Sequence, residues 1–385
     1  MILRENRGCR CSSRFVAMEG REDGTVGPTA QRIFCLQETS QNVARYDRTL
    51  FNTNNKGDVM PADYHERGNS HNTRFWIDKF HANGTYHVLK LPSSEIAWLR
   101  EAAVAGVLRN TVPHALYRED IDDLCALLEP QLTKFRDLDL ARGVGSHNAA
   151  AESRHATDAC AGAGAGAGAG VGAGATADGT ASPSHPGWFL RSETVSFKRG
   201  LHGPGPYKTV RQMVESICTA DFTHSPLPEA GEEMTLYLMP WQDLDAATEL
   251  RVFVHGDVVT AMSQQHLYNT YPVWQAMSQE EQESVVRDVL EHFRRRVQPA
   301  IKVAWKSYSY DVVRLKTGEW YFIEPNGFGT RYSAGSSLFE WEYDEARLTN
   351  TRGDVFFKYV IDGASYSAAD ERALANAAIV DHSKA

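Results

Sequence analysis

Three oxygen-bearing side chains late in the chain, Asp311, Glu324 and Asn326, have the types and spacing to hold a divalent cation. They lie in YDVVRLKTGEWYFIEPNGFG, where two short runs rich in Val, Ile, Tyr and Phe flank Lys316-Thr317-Gly318-Glu319, the signature of a β-hairpin. Symmetric closure of that turn sets Asp311 opposite Glu324 and Val313 opposite Phe322, and period-2 alternation adds Asn326 to the same face. Opposed side chains have Cβ atoms about 4.5 to 5.5 Å apart, where like charges resist pairing unless something compensates. The simplest compensator is a cation. Two carboxylates and an amide oxygen are hard ligands suited to Mg²⁺, whose sphere is usually completed by water and nucleotide phosphates. The same pattern also fits a solvated hairpin face on which Asp and Glu meet water. On the cation reading, Asp311→Asn weakens Mg²⁺-dependent nucleotide binding and leaves the fold intact, because it relieves a like-charge contact.

The elements that position such a site belong to a globular chain. Its 385 residues allow two or three domains at ~150 residues each, and 42% hydrophobic content supplies a core. Forty basic against 49 acidic residues leave a net charge of −9, which argues against a protein built to coat nucleic acid. No apolar run reaches the ~18 residues that cross a bilayer, and no signal-peptide core follows the start, so a soluble cytoplasmic chain is expected. The six cysteines are scattered and Cys9 and Cys11 lack a second pair for zinc, so all six are read as free thiols.

Residues 1–73 are polar, with Arg4, Arg7, Arg10 and Arg14 near the start, and read as a disordered or loosely attached tail rather than a transit peptide. Tyr86 to Leu91 alternates as a strand, and Ser93 to Val107 then carries apolar residues at helical spacing; a second helix is expected from Ile121 to Leu132. Residues 141–186 collapse to Ala and Gly, a composition with little to bury, and read as a flexible insertion. HGPGPYKT follows Arg191 and Lys198 and feeds a helix over Thr209 to Cys218. A glycine loop beside basic side chains can present N–H groups to phosphate, and it is equally an ordinary surface turn.

From Met234 the pattern turns to strands. TLYLMPW ends at Pro240, and ELRVFVHGDVVTAMSQ forms two strands around Gly256-Asp257, with Glu249, Arg251 and Phe253 sharing one face. Ser278 with Glu281 makes a capping box for a long helix whose stripe is Val285, Val286, Val289, Leu290, Phe293 and Val297. Strand, hairpin, helix, hairpin implies an α+β layer with an antiparallel sheet.

In order along the chain, VLKLPSSEIAWL, FLRSETVSFK, TLYLMPW, ELRVFV with AMSQ, and YDVVRL with FIEPNGFG and SLFEW resemble the cell division cycle protein 123 (D123) family, an ATP-grasp-like group. The resemblance spans about residues 74–345 without the Ala/Gly insertion. It implies an ATP-grasp-like fold of two α+β subdomains, residues 74–140 with 187–232 and residues 233–363, holding a nucleotide site between antiparallel sheets, and a tail over 364–385. It further implies that Arg191, Ser196 and Lys198 contact the nucleotide, that the backbone of Tyr237, Leu238 and Met239 meets the adenine edge, and that Glu249 and Arg251 line the site. Asp311, Glu324 and Asn326 then hold Mg²⁺, the trio the hairpin reaches independently. Arg191 stands where the family carries Lys, Lys198 where it carries Arg, and Glu324 where it carries Asp; charge is kept, but Arg and Lys differ in how they grip a phosphate.

The resemblance implies an ATP·Mg²⁺-binding factor that promotes assembly of eukaryotic translation initiation factor 2 through its γ subunit; a monomer with no membrane or direct nucleic-acid contact is expected. Two other functions stay open: an ATP-grasp ligase that forms an acyl phosphate, with Arg251, Arg331 or, least favourably, Arg314 as an extra cation, and a scaffold that binds no nucleotide.

Overall fold

The computed structural model describes residues 31–43, 72–81, 85–109, 111–142, 185–220, 227–267, 269–301, 306–329 and 338–362. Nine strands run in chain order: β1 (Ile33–Thr39), β2 (His87–Leu91), β3 (Trp188–Ser192), β4 (Met234–Pro240), β5 (Leu250–His255), β6 (Val258–Gln264), β7 (Tyr308–Arg314), β8 (Trp320–Asn326) and β9 (Val355–Ile361). They form two sheets, one of order β1-β9-β6-β5-β7-β8 and one of order β2-β4-β3. The main helices are α1 (Thr73–Phe80), α2 (Ser93–Arg109), α3 (His114–Ala141), α4 (Val210–Thr219), α5 (Gln279–His292) and α6 (Trp341–Leu348). This is an α+β architecture, as expected.

The smaller sheet is antiparallel. The larger is mixed, which corrects the expectation of two antiparallel sheets: β9 runs parallel to both β1 and β6. A hairpin turn cannot join parallel strands, and the long excursion from β6 through α5, β7, β8 and α6 supplies the crossover that β9 needs.

β1 also corrects the reading of residues 1–73 as a tail. Ile33–Thr39 pairs residue for residue with Val355–Ile361, and Arg32 grips Asp354 through Nε and a terminal nitrogen at 2.8 and 3.0 Å. Polar sequence on both sides hides this strand, and its partner lies more than 300 residues away. The insertion reading falls chiefly on residues 143–184 and the second tail on 364–385, outside the described residues, as do Cys9, Cys11 and Cys160; Cys35, Cys125 and Cys218 are free thiols.

Two cores follow from the patterning. Leu250, Val252, Tyr310, Val312 and Phe322 of the large sheet pack against Val286, Val289, Phe293 and Val297, so the stripe read from the sequence is the one buried. The capping box at Ser278 is present, with Glu281 answering the Ser278 backbone at 2.7 Å. The second core joins β2, β3 and β4 to Ile96 and Leu99 of α2, Ile121, Leu124, Leu128 and Leu132 of α3, and Val210, Met213, Val214 and Ile217 of α4. Helix α3 outruns the expected Ile121–Leu132 at both ends and continues through Pro130. Proline removes one ladder hydrogen bond, and Leu128 and Leu132, buried on either side of it, keep that turn against the sheet.

Tyr237 and Met239 tie the halves together. Alternation turns Leu236 and Leu238 into the small-sheet core, whereas Tyr237 and Met239 join the core of the large sheet.

Candidate functional site

The hairpin β7-β8 closes with Leu315 and Glu319 hydrogen-bonded across Lys316-Thr317-Gly318, where Gly318 has φ +89. That conformation favours glycine in a three-residue hairpin loop. From there the register runs Arg314 opposite Trp320, Val313 opposite Tyr321 and Val312 opposite Phe322, then slips, so that Asp311 faces Glu324 and Ser309 faces Asn326. The expected Asp311–Glu324 pair is present. The expected Val313–Phe322 pair is not, because the turn closes as a three-residue loop with Leu315 opposite Glu319, which sets Val313 against Tyr321. The extra residue at Ile323 lets Phe322 enter the core with Val312 while Glu324 stays beside Asp311.

β5 extends the same rung. Arg251 stands opposite Asp311 on one side and Ser263 on the other, so the row across β6, β5, β7 and β8 reads Ser263, Arg251, Asp311, Glu324. Arg251 grips Asp311 with Nε to Oδ1 and a terminal nitrogen to Oδ2, both at 2.8 Å. From the smaller sheet, Arg191 of β3 reaches Glu324 at 3.2 Å, donates from Nε to the Thr73 hydroxyl at 2.8 Å, and lies 4.7 Å over the Trp76 ring. The facing carboxylates are thus compensated by two guanidinium groups, one from each sheet, a solution the hairpin alone does not reveal.

Burial excludes the solvated-face reading. Arg191, Arg251 and Asp311 are 2 to 3% exposed, and the Glu324 side chain 21%. Burial opposes ionisation of Glu324, yet Arg191, Lys198 and Arg251 outweigh it and hold its carboxyl below the ordinary range. Burial pushes Asp311 above its ordinary range; Arg251 counters and Glu324 adds to the shift.

The donor set suits a hard cation. Asp311 Oδ2 also accepts from Asn326 Nδ2 at 3.1 Å and from Gln265 Nε2 at 3.4 Å, so the trio converges on one side of the ribbon. Asn326 spends its amide nitrogen on Asp311, which leaves its oxygen for a metal, and Glu324 offers a second oxygen beyond the one facing Arg191. Among the described residues, no cluster of three His, Cys, Asp or Glu side chains is arranged for a metal. A cation here would rest on two carboxylates and one amide, within the range of Mg²⁺ sites that keep several waters or phosphate oxygens.

The remaining expected residues are spread along the cleft. Ser196 is buried and bridges to Arg191, while Lys198, two residues on, is exposed. Glu249 precedes β5 and pairs with His266 at 3.0 Å. Tyr237 and Leu238 sit in the central strand of the small sheet with ladder partners on both sides, whereas Met239 has one only on the β3 side. Their backbone groups are therefore largely claimed by the sheet, and Met239 is the first position open on the β2 side. Arg314 is exposed, donates to the Gly318 carbonyl and lies near the Trp320 ring, away from Asp311. Arg331 lies outside the described residues.

The Gly/Pro loop spends its N–H groups on packing. Leu201 donates to Thr219, His202 to Ser216 and Tyr207 to the Trp188 carbonyl, so it is a docking turn for α4. Sequence reasoning missed Thr73 and Trp76, which seat Arg191, and Gln265 and His266, which directly follow the AMSQ segment.

Residues 212–380 match the model of the D123 family, so the family resemblance is borne out over that part of the chain. Among solved structures, similarity is found to Cdc123 from Schizosaccharomyces pombe, at 16% identity and a TM-score of 0.34, covering 45% of this chain and 72% of that one. A C-terminally truncated form of the same protein gives 13% identity and a TM-score of 0.46 over 78% of this chain and 99% of that one. D-alanyl-alanine synthetase A from Vibrio cholerae O1 biovar eltor gives 11% identity and a TM-score of 0.22, covering 38% of this chain and 44% of that one. No curated protein matches the sequence. Among the described residues, no helix is long and apolar enough to cross a membrane.

Proposed function

We propose that this chain, with its D123-family match over residues 212–380, is an ATP·Mg²⁺-binding assembly factor of ATP-grasp-like construction that acts on the γ subunit of translation initiation factor 2. One observation carries the nucleotide part: Arg191 from one sheet and Asp311, Glu324 and Asn326 from the other meet in a single charged network at the junction of the two sheets. The partner rests on the family resemblance.

Asp311, Glu324 and Asn326 would hold Mg²⁺, which when bound supplies positive charge that bridges phosphate oxygens and neutralises them. Arg191 serves from the opposite wall, and its contacts with Thr73 and Trp76 keep the guanidinium in place before ligand arrives. Lys198 adds a mobile cation at the open side. Met239 offers backbone to the base where β2 has ended.

The engagement of Arg251 favours binding over ligation. An extra cation beside an acyl phosphate must be free to meet it, and Arg251 is buried with both oxygens of Asp311 in its grip. The test is capture of the purified γ subunit with and without ATP·Mg²⁺, alongside an ADP-release assay. The proposal expects nucleotide-dependent capture with slow turnover; amino-acid-stimulated ADP release without capture contradicts it.

A further inference from the structure

Beyond the network of Arg191, Arg251, Asp311 and Glu324, a second pair stands at the same end of the large sheet. Glu249, just before β5, and His266, just after β6, are joined at 3.0 Å between Oε2 and Nε2. The backbone between them is fastened too: the Gln265 N–H donates to the Glu249 carbonyl at 3.0 Å, and the Gln265 side chain reaches Asp311 at 3.4 Å. His266 is therefore held next to Gln265, which touches the buried rung at Asp311, with its ring 43% exposed. Lys198, from the segment after β3, lies within electrostatic reach of both His266 and Glu324, is exposed, and makes no ion pair among the described residues. A lysine and an imidazole from two different segments thus lie near the Asp311–Glu324 pair.

We propose that His266, oriented by Glu249, together with Lys198 forms the anion-binding rim of the cleft and contacts the terminal phosphate of the bound nucleoside triphosphate. This rests on the nucleotide-binding reading above and adds to it a residue outside the family motifs. The charge on His266 is set by three facing groups and by partial burial, which lowers its pKa. Glu249 raises its pKa through the hydrogen bond and by charge, Asp311 raises it further, and Lys198 lowers it, for a net upward direction. A value raised above 6.5 keeps most of the imidazolium present at pH 6.5 and below and removes it as pH climbs, so the rim weakens in alkaline solution. A phosphate also gains negative charge as pH rises, so the informative quantity is the ratio of wild type to variant at each pH.

The experiment is titration calorimetry of ATP·Mg²⁺ and ADP·Mg²⁺ into the full chain at pH 6.5 and 8.5, for wild type, His266→Gln and His266→Lys. One charge-assisted hydrogen bond corresponds to a loss of roughly tenfold in affinity. His266→Gln is expected to lose about that much for ATP at pH 6.5 and less than about twofold at pH 8.5, with a smaller loss for ADP. His266→Lys restores ATP affinity at both pH values. An ATP affinity in His266→Gln equal to wild type at both pH values overturns this inference and leaves the nucleotide reading standing. Absence of ATP binding in wild type overturns both.

Discussion

Two of the buried aspartates, Asp139 and Asp311, are held in two different ways. Asp139, in the last turn of α3, is fully buried and surrounded by donors alone: His87 Nε2 at 2.7 Å, His185 Nε2 at 3.0 Å and Trp188 Nε1 at 3.0 Å. The Gly187 N–H donates to His185 Nδ1, which places that ring's proton on the nitrogen facing Asp139. Burial opposes its ionisation, but the His185, His87 and Trp188 contacts outweigh it and pull the carboxyl below its ordinary range. Asp311 is as buried, yet it faces a second carboxylate and depends on a guanidinium, and its pKa moves the other way. The first environment is saturated and has no need of a ligand. The second sets two carboxylates side by side, each with its own guanidinium, so it is the candidate for a site.

Breaking the first network gives the largest expected loss of stability. Asp139→Ala leaves three buried donors without an acceptor and should lower unfolding free energy by about 3 to 5 kcal/mol in urea denaturation, with nucleotide affinity of the folded fraction unchanged. A loss of affinity without a loss of stability would reverse the assignment of the two networks.

Asp311→Asn comes next and corrects the sequence-based expectation of an intact fold. The amide offers a donor where Arg251, Gln265 and Asn326 already donate, and it leaves the Arg251 charge buried without its counter-ion. A destabilisation of about 3 kcal/mol is expected, together with loss of Mg²⁺-dependent nucleotide binding.

A smaller, pH-dependent effect belongs to His81, which stands against Trp76 and Tyr321 near Arg191. Burial, with Arg191 adding to it, lowers its pKa from 6.5 to about 4. Between these values the unfolded chain binds a proton that the folded chain does not, so stability is held above pH 6.5 and lost as pH falls toward 4. The slope contributed by His81 approaches about 1.4 kcal/mol per pH unit. Urea unfolding at pH 5 and pH 7 should show this difference in wild type and a smaller one in His81→Phe.

The smallest stability change is expected at Lys198. Its removal in Lys198→Ala should alter unfolding free energy by less than about 0.5 kcal/mol, as for other exposed positions, while ATP affinity falls. That split between stability and binding sharpens the contrast with Asp139.

Legibility in the sequence follows the range of the interactions. The α5 stripe was readable because helical period sets it, whereas the Asp311–Glu324 pair holds only because the bulge at Ile323 offsets the register that the turn sets. Val313–Phe322 failed because the loop closes on three residues rather than four, and the bulge at Ile323, which no local pattern encodes, then returns Glu324 to Asp311. Arg251 and Arg191 carried no local mark as counter-ions; strand pairing across 60 residues, and a contact between sheets, made them so. The Asp139 network unites residues on either side of the Ala/Gly run, so only the folded chain brings His87, Asp139 and His185 together.

The most direct test is calorimetric titration of ATP into wild type and Glu324→Gln, each with and without Mg²⁺. The account predicts that Mg²⁺ strengthens ATP binding to wild type at least tenfold, about 1.4 kcal/mol, and has little effect on Glu324→Gln. Equal Mg²⁺ enhancement in both proteins would contradict it.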